Sequence, residues 1–210
     1  YAQAYNHTKT PEYKRVLDQT LGWLEREMQS EEGGLFAAQD ADSEGVEGKY
    51  YVWTKEEIEA ALGENASWFW KFYNPGNKGY WEHQQWVLLR NETWETFCKH
   101  HPSVDPLKIQ AQLDTLLHLR KKRIAPGTDT KCLTAWNALT ITGLVEAFKA
   151  TEDHGYLKLA LQVAKWLRTY QVSEEYKLMH TRQNGRSFIT GFLDDYATTI
   201  QAFLALYQIT

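Results

Sequence analysis

Four carboxylates fall within eight residues at Asp40-Ala-Asp42-Ser-Glu44-Gly45-Val-Glu47. Acidic side chains at that density bind a cation, share protons, or stand solvated. The opening Asp40-x-Asp42-x-Glu44-Gly45 matches the start of an EF-hand loop. Its twelfth position, however, is Tyr51 where a bidentate Glu is needed, so the full calcium signature fails and no metal ligands are assigned. A second acidic pair, Asp194-Asp195, opens the last apolar-periodic segment. One of the two suffices to cap a helix, which leaves the other to face a cleft. Hydrolysis of a glycoside takes a proton donor and a base or nucleophile, usually two carboxylates across the scissile bond. The catalytic candidates are therefore Asp42 or Glu44 acting with Asp194 or Asp195, with Asp40 beside them as a ligand-binding candidate.

Trp136-Asn137 offers a flat apolar face and an amide that both donates and accepts, a pairing suited to a sugar ring. Core packing explains the Trp equally well. His180 and Arg182 lie two apart on one predicted strand and share a face, where they either bind a ligand's oxygens or stand as exposed polar residues. The other six histidines, His7, His83, His100, His101, His118 and His154, show no metal-ligand spacing.

Helical periodicity dominates the elements that must position these groups. Residues 1–9 read as the end of a helix. A second helix runs from Pro11, acceptable in a first turn, to about Gln29 through Tyr13, Val16, Leu17, Leu21, Leu24 and Met28. Leu35–Gln39 and Lys49–Trp53 read as strands flanking the acidic loop, and Trp86–Leu89 as a third. Thr54-Lys-Glu-Glu57 is a capping box for a short helix closed by Gly63. A Trp/Phe-rich helix follows over Trp68–Tyr73, then turn chemistry over Asn74–Gly79. Asp105-Pro106 reads as an N-cap with Pro at N1, starting a helix to about Arg123; the cluster Arg120-Lys-Lys-Arg123 complements the dipole at its end. Trp136–Phe148 and Tyr156–Tyr170 form a helix pair, Asn184-Gly185 turns a hairpin within Lys177–Thr190, and Leu193–Thr210 is the final helix.

Composition narrows the function classes. The 210 residues carry a net charge of −4, which argues against nucleic acid as the main partner. No apolar run is long enough to span a bilayer, and no signal peptide is visible. Cys98 and Cys132 form no C-x-x-C motif and read as two buried thiols of a reducing, cytoplasmic protein. Nine Trp and twelve Tyr are a density found in sugar clefts, though each one taken singly reads as core.

The chain also repeats itself. Tyr1-Ala-Gln-Ala-Tyr-Asn-His-Thr8 matches Leu144-Val-Glu-Ala-Phe-Lys-Ala-Thr151 at an offset of 143, in register through Trp23/Trp166 and Leu24/Leu167, and Phe203–Thr210 repeats the pattern. A repeated helix–turn–helix unit implies a stacked or closed α/α array. Residues 33–132 contain an insertion or a degenerate unit. The matching phase at both ends, and a first residue other than Met, lead us to expect a segment of a longer ring.

The stretch Gly34-Leu-Phe-Ala-Ala-Gln-Asp40-Ala-Asp42-Ser-Glu44-Gly45-Val-Glu47-Gly48-Lys-Tyr-Tyr-Val-Trp53-Thr resembles a family that joins a thioredoxin-like domain to a large α/α toroid, the spermatogenesis-associated thioredoxin-like family. Asp129–Leu139 and Gly191-Phe-Leu-Asp194-Asp195-Tyr196-Ala agree with it, although Ala138 stands where that family commonly has Gly. The resemblance implies a mainly α fold, a partial toroid similar to six-hairpin glycosidases and N-acylglucosamine 2-epimerase, with short β-hairpins between helices. It also implies a carbohydrate-like ligand and, as partner, the thioredoxin-like domain, which these residues do not include; no cofactor is expected. Trp53 and Tyr196, within its motifs, complete the ligand-binding candidates. The rival expectation is a non-catalytic interaction module supporting that domain.

Overall fold

In the computed structural model, which describes residues 1–73, 76–90, 92–105 and 107–210, the chain is mainly helical with short antiparallel strand pairs. It divides into two compact units: one of residues 1–39 with 128–210, the other of residues 40–127. Among the described residues no helix is long and apolar enough to cross a membrane.

The first unit is built on the repeat. Helix α1 (Ala2–Thr8) turns into α2 (Pro11–Trp23), and α7 (Thr134–Thr151) turns into α8 (His154–Trp166). Both turns use the same device. The residue after the first helix of each pair is left-handed, Lys9 at φ 53° and Glu152 at φ 59°, and its amide returns to the carbonyl of Tyr5 (2.8 Å) or Phe148 (2.7 Å). The preceding Thr8 and Thr151 hydroxyls donate back to Ala4 and Ala147. Both second helices, α2 and α8, end in a π-turn, Leu24–Met28 and Leu167–Gln171. The correspondence then runs past the matched sequence. The Ser30 amide reaches the Gly34 carbonyl at 2.8 Å and Ser173 reaches Lys177 at 2.8 Å, while Gln29 bridges Leu35 as Val172 bridges Leu178. Left-handed backbone falls on Gly33 in one copy and on Tyr176 in the other, so residue type conceals the equivalence there.

Helix α7 is apolar around most of its circumference, as a central helix must be. Ala138, Ile141, Val145, Leu159, Val163 and Trp166 form the heart of the core between α7 and α8, with α9 (Leu193–Tyr207) packed along α7. Strands β1 (Ala38–Gln39) and β4 (Thr128–Asp129) pair antiparallel. A three-stranded sheet follows the order β5 (Cys132–Leu133), β6 (Met179–Gln183), β7 (Arg186–Thr190), and β6 and β7 turn at Asn184-Gly185 with φ 51° and 74°.

The second unit departs from the expected strands. The acidic loop is itself a hairpin, β2 (Asp42–Ser43) with β3 (Val46–Glu47), turning at left-handed Glu44-Gly45. Lys49–Tyr51 is a turn and Trp53 only an isolated bridge, while Trp86–Leu89 pairs at Trp86, which bridges Trp53 and Tyr80. Arg123 occupies the first of these segments. Its Nη1 donates to the carbonyls of Tyr50 (3.1 Å) and Val52 (2.6 Å), and its Nη2 pairs with Glu57 at 2.9 Å. A guanidinium thus takes the acceptors that a partner strand would have filled.

Helices α3 (Lys55–Leu62), with its Thr54/Glu57 capping box complete, and α4 (Ala66–Tyr73) bring Ile58, Leu62 and Phe69 together with Leu116 of α6 (Lys108–Arg120). Helix α5 (Trp94–His100) was not anticipated, although Thr93 caps it through the Thr96 amide. Helix α6 ends at Arg120, short of the expected Arg123. Of the expected turn and cap, Asn74, Pro75 and Pro106 lie outside the described residues; Asp105 does accept the Leu107 amide at 2.9 Å. Both cysteines are free, Cys132 buried but Cys98 only half-buried, and burial pushes the Cys132 thiol up to about 11.

Gly34 lies against the indole of Trp166, where an added Cβ would fall 2.7 Å from Cδ2. We expect Gly34→Ala to destabilise the protein by about 1–3 kcal/mol through overpacking. Lys177→Ala, at the equivalent exposed position of the second copy, should change it by less than about 0.5 kcal/mol. Chemical denaturation of the two variants checks both.

Candidate functional site

The predicted site residues divide between the two units. In the unit of residues 40–127, Asp40, Asp42 and Glu44 are exposed on the acidic hairpin. The Asp40 carboxylate accepts the Asp42 amide (3.2 Å), and Glu44 pairs with Lys49 (2.7 Å). Among the described residues no three His, Cys, Asp or Glu side chains are grouped to hold a metal ion. Trp53 is buried, with Arg123 stacked 4.1 Å over its ring, so its face is covered by a cation of the same unit. Most aromatics of this unit likewise pack on one another: Trp68 against Trp94, Trp70 against Trp86, Phe72 against Phe97.

The other unit brings the remaining candidates to the start of α7, the start of α9 and strand β6. Adjacent residues take opposite roles. Trp136 is 54% exposed, whereas Asn137 is buried. The Asn137 amide acts as a strand partner for Leu35: Oδ1 accepts its N–H at 2.7 Å and Nδ2 donates to its carbonyl at 3.0 Å and to that of Leu133 at 2.9 Å. Its hydrogen-bonding capacity is largely taken up by backbone.

Asp194 is exposed, and Asp195 has 0% exposure. Asp195 Oδ1 accepts the Ala135 amide at the start of α7 (3.0 Å). Its Oδ2 accepts the Phe192 amide just ahead of α9 (2.9 Å) and lies 2.8 Å from Nδ1 of His180. The cap is one-sided, since Phe192 has no side-chain acceptor to offer in return. The positive ends of two helices therefore face one buried carboxylate. Tyr196 accepts the Leu178 amide through its hydroxyl (3.0 Å), tying α9 to the hairpin.

His180 and Arg182 do share the strand face, but their surroundings differ. The His180 side chain is 23% exposed, with the Phe192 ring edge-on at 4.9 Å. Arg182 is buried, bidentate to Glu32 (2.6 Å to each oxygen), bonded to Ser187 and stacked 4.1 Å over Tyr170. That pairing, through the hydrogen bond from Arg182, holds the Glu32 carboxyl below its ordinary value of 4.5. The buried supports of this region escaped sequence reading. The Thr134 hydroxyl donates to the Met179 carbonyl and accepts from Gln171, so the start of α7 is seated on β6. Gln171 corresponds to Met28 in the first copy, and that difference between repeats was the available signal. An apolar groove of about 490 Å³ between α2 and α7, lined by Leu17, Leu21, Gly143 and Tyr156 among others, holds none of the candidates.

The geometry can do one thing plainly. It holds an imidazole in a fixed orientation by a buried carboxylate, with an exposed indole one residue from the anchoring amide.

The comparisons agree with the motifs. No family model matches the chain. Over 92% of its length it is 32% identical to uncharacterized protein B0495.5 of Caenorhabditis elegans. Over 99% it is 26% identical to spermatogenesis-associated protein 20 of Homo sapiens and of Mus musculus. These homologues support the spermatogenesis-associated family. The chain spans 31% of the length of each of these relatives.

Asn137→Leu leaves the Leu35 amide and carbonyl unpartnered in the core and should cost about 2–4 kcal/mol. Trp136→Ala, one residue away, should cost under about 0.5 kcal/mol; urea unfolding of both separates support from surface. The Glu32–Arg182 pair gives a pH dependence. A depressed carboxyl stabilises the fold above its ordinary value, 4.5, and the contribution is lost as pH falls through the folded value. The Tm gap between the native chain and Glu32→Gln should thus be open at pH 7 and close in acid.

Proposed function

We propose that residues 1–39 and 128–210 form part of an α/α toroid, of the kind found in six-hairpin glycosidases, and that this part binds a carbohydrate-like ligand where α7, β6 and α9 converge. The observation that carries this reading is Asp195, whose carboxylate binds both the Ala135 amide, one residue before the exposed Trp136, and the imidazole of His180. A flat indole stacks on the apolar face of a sugar ring, and a fixed imidazole reads a hydroxyl. The repeat supports the toroid, because each unit turns, bends and bridges in the same way.

In its catalytic form the reading takes Asp194, exposed at the start of α9, as the carboxylate that this unit supplies. Asp195 is fully buried and engaged by three donors, and serves as a positioning residue. The ligand, the reaction and a cytoplasmic location are proposals for the longer protein.

A second reading, a docking module for a thioredoxin-like domain, is favoured by α9. Ile200 and Leu204 are 60% and 57% exposed, whereas their repeat equivalents in α7, Ile141 and Val145, have 0% exposure. A face that α7 keeps covered is bare on α9.

Screening the full chain against neutral mono- and disaccharides by calorimetry distinguishes the two readings. We expect millimolar or tighter binding that Trp136→Ala weakens at least about tenfold, in line with the loss of one aromatic stacking contact. Full affinity in Trp136→Ala would remove the proposed site, and the absence of any saccharide binding would leave the docking reading.

A further inference from the structure

Resting on that sugar-binding reading, we infer that the ligand is uncharged and that one of its hydroxyls donates to Nε2 of His180. The argument begins at Asp195. As a carboxylate it only accepts, and two of its contacts are backbone N–H groups, from Ala135 and Phe192. Its third contact, 2.8 Å to Nδ1 of His180, therefore places a proton on Nδ1. A neutral imidazole protonated at Nδ1 carries its lone pair on Nε2. Nε2 has no hydrogen-bond partner among the described residues, and the ring reaches solvent. In its neutral form the imidazole thus presents an acceptor, which suits a hydroxyl donor and disfavours the acceptor oxygens of phosphate or carboxylate.

The charges around it point the same way. Asp194, next to the anchoring Asp195, adds an exposed negative charge. The hairpin's cations are held elsewhere or stand apart: Lys177 pairs with Glu175, Arg182 with Glu32, and Arg186 lies at the turn end of β7 opposite Gln183. An anionic sugar would meet an acceptor and a carboxylate, while Lys177 and Arg182 are already engaged by Glu175 and Glu32. Trp136 and Phe192, both exposed, provide apolar area for the C–H face of an uncharged ring.

The test titrates the full chain with methyl β-glucoside, N-acetylglucosamine and glucose 6-phosphate at constant ionic strength. The neutral probes should bind at least about tenfold tighter than the phosphate. His180→Phe, which keeps a ring but removes the acceptor, should weaken neutral binding about tenfold and narrow the preference, the effect of one lost hydrogen bond to ligand. Nitrogen-15 spectra of histidine in the native chain should show the Nδ1–H tautomer at His180, a readout that does not depend on the variant folding. Equal or tighter glucose 6-phosphate binding, unchanged neutral affinity in His180→Phe, or an Nε2–H tautomer would each overturn this inference while leaving sugar binding at Trp136 intact. No binding of any probe would overturn both readings together.

Discussion

A buried carboxylate has to be surrounded by donors, and the arrangement of the larger unit follows from how Asp195 meets that requirement. An ion with no exposure costs several kcal/mol unless hydrogen bonds replace its water. Asp195 finds them in the first-turn amide of α7, the amide ahead of α9 and the imidazole on β6. Each donor sits at an element boundary, so satisfying the charge fixes where two helices begin and how the hairpin lies against them. Asn137 works in the same way on a neutral scale, closing the Leu35 backbone against α7. Thr134 and Gln171 complete the seat of that helix end. With this many polar groups satisfied from below, the neighbouring Trp136 and His180 can be exposed and still be held in place.

The second unit is organised by a different constraint. Among its described residues Arg123, not a partner strand, fills the Tyr50 and Val52 carbonyls after the acidic hairpin, while stacking on Trp53. Its aromatics then pack edge to face around α4 and α5. Aromatic richness in the composition thus arises largely from packing in this unit, and in the other unit Trp136 is the exposed indole.

Helices were legible because their signals are local. Period, the Thr54/Glu57 box, Pro11 at a first turn and Asn184-Gly185 at a hairpin all act within a few residues. The repeat was legible wherever apolar residues carried it, and became invisible where Gly33 gave way to Tyr176 at the same backbone position. Lys49–Trp53 was misread because β-branched and aromatic composition marks a segment that can pair, while Arg123, far along the chain, took the Tyr50 and Val52 carbonyls. Helix α5 was missed because Trp94-Glu-Thr-Phe-Cys-Lys-His is too short to display a period.

The sequence by itself determined the helical character, the turn–helix repeat, the hairpin and the residue types able to handle a polar ligand, since propensity, capping and spacing are properties of neighbouring residues. Packing settled which member of each adjacent pair does what: Asp195 buried and Asp194 exposed, Asn137 in the core and Trp136 in solvent. Neighbours on a helix point about 100° apart. Which of them meets protein and which meets water depends on what packs against that helix, here the Leu35 segment, β6 and the paired starts of α7 and α9.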